Sequence, residues 1–288
     1  RKHPIGSCQL GKLTPLQFEN YKNWRLAGDE KKGIKKVLPS TVTAELKMIR
    51  QALKKAKSWK LIRENPVDDV ELFGTERAKE ISHYDESQAK ALLKLVKAEA
   101  PKLYAALALA LGAGLRDGEI CGLRLSSADL TNMKITINGT KQRQKGGFVV
   151  FLEDQAKTKN SKATLAIDAG LTAVLKEQKE RQAKLKSAAD DKWEDNIGMF
   201  FTHEDGRLWS PDYLGHAFAK FIKFHGLPKI TLHQLRHSHA MILRDKGVSM
   251  EVISDRLRHY DSAFTHRIYA PKSVKSEDSA IAAIAGLI

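Results

Sequence analysis

Apolar positions recur at helical spacing over most of the chain. Phe18, Tyr21 and Trp24 fall three apart behind Thr14-Pro15, a capping residue followed by proline, and predict a helix opening there. Val42, Leu46, Ile49, Leu53 and Ala56 alternate steps of four and three. They predict a second helix opening near Ser40-Thr41, in a helical unit that ends at Asn65-Pro66. The lysine-rich stretch between the two, 28–39, reads as a loop. Ala89, Leu92, Leu93 and Val96 predict a helix from about Asp85 that stops before Pro101. The segment 103–111 is apolar all round, which marks a helix inside a larger core, and another helix is expected from Arg116 to Leu123.

The period then changes. Segments 134–138, 147–152 and 163–168 read as short strands, with polar turns at Lys145-Gly146 and Lys159-Asn160-Ser161. Helical spacing returns after Asp168, with further helices expected near 211–225, 231–246, 249–258, 261–268 and 275–287. The expected fold is mainly α with a small three-stranded antiparallel sheet. Polar residues without a period place a linker at 76–84, between a small helical domain, 1–75, and a larger one, 85–288.

Charge changes this picture. Forty-nine Lys and Arg against 34 Asp and Glu give a formal net charge of +15. The first 60 residues alone hold 15 of those bases and 4 of the acids. Such a surplus points to a polyanionic partner, nucleic acid before anionic membrane. Lys47, Arg50, Lys54 and Lys57, on the polar faces of the second helix, are the candidate DNA contacts. The 42% of hydrophobic residues suffices for a core and excludes a disordered chain. No run approaches the roughly 18–20 apolar residues of a membrane helix. Two cysteines, Cys8 and Cys121, exclude a disulfide framework. With no secretory signal at the start, a reducing cytoplasm is the default location. The start at Arg1, without methionine, leads us to expect a further segment upstream.

Metal and nucleotide motifs are missing from the sequence. No histidine sits in a HExxH frame, no GxxxxGK[ST] loop occurs, and Gly112-Ala113-Gly114 lacks both a preceding strand and a third glycine. Neither a metal nor a cofactor is indicated. The densest cluster is Thr231-Leu-His-Gln-Leu-Arg-His-Ser-His239, where His233 and Arg236 stand three apart and share a helical face. A cation beside a second donor suits an anion, and a planar guanidinium suits a phosphate best.

Four segments together resemble the tyrosine recombinases, the phage integrase family. Gly112-Ala-Gly-Leu-Arg-Asp-Gly-Glu-Ile-Cys-Gly-Leu-Arg-Leu-Ser-Ser-Ala-Asp129 resembles that family's first arginine motif. Lys157-Thr158-Lys159-Asn160-Ser161 is similar to its lysine hairpin, and 231–239 to its HxxR box. Segment 257–271, Leu-Arg-His-Tyr-Asp-Ser-Ala-Phe-Thr-His-Arg-Ile-Tyr-Ala-Pro, resembles its histidine and nucleophile segment, with Tyr269 ten residues after His259. The family's order is kept over about 155 residues, and the basic 1–75 resembles its core-binding domain.

The resemblance implies a site-specific DNA recombinase that cuts and rejoins strands through a 3′-phosphotyrosyl intermediate and a Holliday junction, integrating or excising a mobile element. Arg116 and Arg236 would grip the scissile phosphate, Tyr269 would attack it, and Lys157 would protonate the leaving 5′-oxygen. His233 would help move the tyrosine proton, His259 would bond the phosphate, and Glu119 would orient an arginine or histidine. Lys159 is the alternative acid and Tyr260 the alternative nucleophile. The implied partners are double-stranded DNA, further copies of the chain as a dimer to tetramer, and accessory DNA-bending proteins. A type IB topoisomerase-like enzyme and a non-catalytic DNA-binding protein are the competing classes. Two positions depart from the pattern: Arg258 replaces the usual glycine before His259, and Ala163 stands where an arginine is common. The apolar stripe Ala280, Ile281, Ile284, Leu287 and Ile288 is expected to pack on its own domain or on a neighbouring protomer.

Overall fold

The computed structural model describes residues 3–28, 33–73, 82–143, 149–153, 163–195 and 197–258. The chain divides into two compact units, Arg1–Glu80 and Ile81–Ile288.

In the first unit, α1 (Pro15–Ala27) and α2 (Pro39–Ser58) pack through Phe18, Val42, Leu46 and Leu53, with Val67 and Val70 closing the same cluster. Thr14 opens α1 in a reciprocal capping box with Gln17, so two orphan N–H groups of the first turn are satisfied. Tyr21 and Arg25 of α1 converge on Glu45 of α2, at 2.9 Å and 2.5 Å. Helix α2 spans the whole periodic run and stops at Ser58, short of Asn65-Pro66, where the helical unit is expected to end. Trp59 caps it and Lys60 turns left-handed at φ 59°, so Asn65-Pro66 begins a separate turn. That turn is tied back to α2: the buried Asn65 amide donates to the Arg50 carbonyl at 3.2 Å and to Asp68 at 3.0 Å.

In the second unit, Asp85 and Gln88 form the capping box of α3 (Glu86–Glu99). Helix α4 (Pro101–Gly112) runs through the middle of the core, as its unbroken apolar run requires. Leu107 and Leu109 are fully buried, each worth about 1.5–3 kcal/mol of apolar burial. Around α4 lie α3, the short α5 (Asp117–Cys121), α6 (Ala169–Ala189), α7 (Pro211–Phe224) and α8 (Leu232–Asp245), and α9 (Met250–Leu257) packs on α8 through Ala240, Ile253 and Leu257.

The strands depart from the expected arrangement. A three-stranded antiparallel sheet is present, in the order β1 (Ala128–Asp129), β2 (Lys134–Ile137), β5 (Ala163–Ala166). The predicted strand at 147–152 is not part of it. That segment is β4 (Val149–Glu153), and it pairs with β3 (Gly139–Arg143) as a separate two-stranded ribbon. Strand β3 was missed because Gly-Thr-Lys-Gln-Arg carries no alternation of apolar residues. Strand β1 is too short to show any. In the larger sheet, Ile135 sits opposite Leu165 on the core face, and the Thr136 and Thr164 hydroxyls meet at 3.1 Å on the exposed face.

Candidate active site

Three chain segments meet at the carboxyl end of α4. The first is the turn into α5. Gly114 there has φ +64°, and a Cβ at that position would stand 2.8 Å from the His239 ring and 2.9 Å from the Leu257 side chain. Only glycine fits, so the Gly-Ala-Gly sequence is a close-packed turn. Arg116 follows as the N-cap of α5, its backbone N–H donating to Glu119 Oε2 at 2.9 Å. Its guanidinium reaches Glu119 Oε1 at 2.8 Å and keeps 39% of the side chain exposed.

The second segment is α8. Thr231 starts it with a capping box to Gln234, and the Ser238 hydroxyl accepts the Tyr84 N–H at 2.8 Å. These bonds set the helix so that Arg236 points inward, with 1% of the residue exposed. Arg236 donates through Nη1 to the Gly114 carbonyl at 2.5 Å and through Nη2 to the Leu257 carbonyl, and it lies 3.9 Å from Glu119 Oε2. His233 is exposed on the same helix, edge-on to the His237 ring at 4.8 Å.

The third segment is the end of α9. Arg256 bridges three elements, donating to His239 Nε2, the Ala166 carbonyl and the Gly112 carbonyl, each at 3.2 Å. Arg258 is left-handed at φ 54° and buried, with its Nη2 on Glu119 Oε2 at 2.5 Å. Glu119 thus sits among Arg116, Arg236 and Arg258, with 7% of its surface exposed. Burial alone would raise its carboxyl, but Arg258, Arg116, the Arg116 N–H and Arg236 together hold it below the usual carboxylate range.

The histidines are held neutral. Partial loss of solvent around the ring first, then the charge of Arg236, lower the His233 pKa; Asp117 pulls it the other way, and Arg116 adds a smaller lowering. His239 is pressed down to about 4, chiefly by burial. Its Nδ1 lies 2.7 Å from the Leu111 carbonyl, so Nδ1 carries the proton and Nε2 accepts from Arg256. A neutral imidazole beside two guanidiniums can take up a proton. The guanidiniums cannot release one.

The structure therefore brings together Arg116, Glu119, His233 and Arg236 of the candidate set. Lys157, His259 and Tyr269, with the alternatives Lys159 and Tyr260, lie outside the described residues, as do the helices expected at 261–268 and 275–287. Lys47, Lys54 and Lys57 are exposed on α2. Arg50 is not free in the same way. Its Nη2 donates to the Val67 carbonyl at 2.6 Å and the Val70 carbonyl at 3.2 Å, and its Nε lies 3.4 Å from Asp68. It holds the end of its own unit together. Sequence reading missed Arg256 and the buried Lys141, whose ammonium donates to the Trp209 carbonyl at 3.1 Å. Among the described residues, no group of three or more His, Cys, Asp or Glu is placed to hold a metal ion.

A model of the phage integrase family matches residues 82–275, two-thirds of the chain. The chain belongs to the phage integrase family. Its likeness to individual integrases is distant but extensive. It is 28% identical over 210 residues to a XerC-like tyrosine recombinase of Caldanaerobacter subterraneus, covering 70% of this chain and 53% of the relative. It is 26% identical over 279 residues to an integrase of Streptomyces ambofaciens, covering 93% and 68%. The ICEBs1 integrase of Bacillus subtilis is 26% identical over 209 residues, covering 73% and 55%. The chain spans about half the length of the first curated relatives it matches. Among solved structures, the Tn1549 transposon integrase in complex with a circular intermediate DNA superposes with a TM-score of 0.80 at 19% identity, covering 98% of this chain and 89% of that one. A lambda integrase dimer bound to a core site superposes at 0.59 and 16% identity, covering 88% and 82%. At those identities, the likeness to solved structures is one of fold. Among the described residues, no helix is long and apolar enough to cross a membrane.

Proposed function

We propose that this integrase-family chain cuts and rejoins DNA at a defined site on a mobile element, in the cytoplasm of its host and on the nucleoid. The observation that carries the reading is the cluster of Arg116, Arg236 and Arg258 about one buried carboxylate, with Arg116 partly open to solvent. Three cations with one anion leave a local excess of positive charge, and a phosphodiester supplies the missing negative charge. Arg116 and Arg236 take the non-bridging oxygens of the scissile phosphate and stabilise the charge that gathers there in the pentacoordinate transition state.

Tyr269 Oη attacks phosphorus and forms a phosphotyrosyl bond to the 3′ side, while the bond to the 5′-oxygen breaks. The phenolic proton passes to neutral His233, and Lys157 protonates the departing 5′-oxygen. His259 bonds the phosphate. One P–O bond replaces another, so the reverse step, with a partner strand's 5′-hydroxyl as nucleophile, completes the exchange through a Holliday junction. Strand exchange needs two duplexes, so the working form is a dimer to tetramer on double-stranded DNA, with DNA-bending proteins as auxiliaries. Lys47, Lys54 and Lys57 supply phosphate contacts that carry no sequence information.

The test uses a duplex selected by binding from a randomised library and then nicked near the cleavage point. Wild type is expected to form a covalent protein–DNA adduct and Tyr269→Phe none. An adduct with the Phe variant would move the nucleophile elsewhere. Relaxed circles without recombinant junctions would favour the topoisomerase-like class, and binding without any adduct would favour the non-catalytic one.

A further inference from the structure

We infer that Arg258 is a positioning residue for Arg116, acting through Glu119, a role that glycine at this place could not fill. The inference rests on the recombinase reading above. Its starting point is the backbone. At φ 54°, residue 258 is left-handed, a conformation that glycine adopts freely and L side chains rarely do. An arginine is held there all the same, and its side chain is spent inside the protein. Nη2 lies on Glu119 Oε2 at 2.5 Å and Nη1 on the Arg256 carbonyl at 3.0 Å, with 3% of the side chain exposed.

The consequence falls on the two oxygens of Glu119. Oε2 is taken by Arg258 and the backbone N–H of Arg116, and Arg236 approaches it to 3.9 Å. Oε1 is left to the Arg116 guanidinium at 2.8 Å. An arginine alone with a carboxylate tends to close on both oxygens, fork on fork. Here the second oxygen is occupied, so Arg116 meets the carboxylate through Nη1 alone and keeps its other donors off it. Among the described residues, its Nη2 meets only the Arg258 carbonyl, at 3.5 Å, the long end of hydrogen-bond range. A phosphate oxygen can displace that contact easily. Arg258 thus stops Glu119 from drawing Arg116 inward, away from the substrate. With glycine at 258, Oε2 is released, and Arg116 is expected to turn onto it while Arg236 shifts toward it.

The experiment compares the full chain with Arg258→Gly, Arg258→Asn and Arg258→Lys on the selected, nicked duplex. Gly and Asn both tolerate the left-handed backbone and carry no charge, so neither should fail to fold on conformational grounds. Adduct formation at saturating DNA is expected to fall about 10–100-fold in both, the scale on which a small misplacement of a phosphate ligand acts. DNA affinity should stay within about two-fold, because the Arg258 side chain is only 3% exposed. The Lys variant keeps the charge on Oε2 and should recover part of the rate. On an Arg116→Lys background, Arg258→Gly should cost nothing further, since an ammonium has no fork to close. Rates within about two-fold of wild type for Gly and Asn would overturn the inference. So would an undiminished loss on the Arg116→Lys background, or DNA affinity falling in step with the rate. If wild type itself forms no adduct, the recombinase reading fails first, before any variant is compared, and the role of Arg258 falls with it.

Discussion

Glu119→Gln is the perturbation that tests the cluster most directly. The substitution keeps shape and volume, so no cavity forms. It removes the single negative charge shared by three guanidiniums, of which Arg236 and Arg258 have side chains only 2% and 3% exposed. Those two would stay buried without their carboxylate, Arg236 on the carbonyls of Gly114 and Leu257 and Arg258 on that of Arg256. Removing one partner of a buried ion pair typically costs about 3–5 kcal/mol. In a unit of this size each kcal/mol moves the melting temperature by about 2–4 °C, so a fall of roughly 6–20 °C is expected.

The assay is thermal unfolding of the free chain, repeated with saturating duplex DNA. If a phosphate enters among the arginines, it restores the missing charge, and the gap between Glu119→Gln and wild type should shrink by about half or more when DNA is bound. Acidification should mimic the variant. The Glu119 carboxyl titrates below its ordinary value of 4.5, so its contribution is complete above that value and lost as pH falls through the lower, folded one. Glu119→Gln has no such group to titrate and should lack that part of the acid transition. A melting temperature within about 2 °C of wild type would refute the account of the buried pair. A gap that DNA leaves unchanged would refute the phosphate site.

The His239 imidazole should give a second, separable pH dependence. Its pKa falls from 6.5 to about 4 on folding, so the unfolded chain binds the extra proton first, and stability complete above pH 6.5 should decline by up to about 3 kcal/mol as pH drops toward 4. Urea midpoints measured from pH 7 to 4.5 should slope in wild type and slope less in His239→Gln, the remainder belonging to His237, which burial also lowers to about 4; equal slopes would show that His239 contributes nothing. In the first unit, Arg50→Ala should destabilise the fold by about 1–3 kcal/mol through its orphaned carbonyls, while the slope of log K against log salt stays unchanged. Lys47→Ala, Lys54→Ala and Lys57→Ala should do the opposite, each reducing that slope by about 0.9 at constant melting temperature, as filter binding across a salt series would show.

The elements that sequence reading found are those whose physics is local. Helix α4 is legible because burial on all sides demands an apolar residue at every position, and 103–111 supplies one. The start of α1 is legible because Thr14-Pro15 carries its own capping chemistry. Strand β3 is silent for the complementary reason: a ladder is made of backbone bonds, which any sequence can offer. Arg50 misled because exposure is inferred from a helical wheel. Its place on the polar face of α2 says nothing of the carbonyls that a following turn brings over it.

The same limit explains why the four family segments could be recognised while the logic joining them could not. Arg116, Glu119 and Arg236 are each visible as residue types at fixed spacing. Their connection runs through carbonyls of Gly114 and Leu257, and through a carboxylate whose two oxygens are shared by groups more than a hundred residues apart. Arg258 is the sharpest case. By charge count it adds one more cation to a site already rich in them, and that suggests a stronger pull on phosphate. In the folded chain its charge is buried and neutralised on Glu119. Its effect on phosphate is therefore exerted through the freedom it leaves to Arg116. The net charge of such a site is a poor guide to its grip; what decides the grip is which guanidinium the shared carboxylate is prevented from holding.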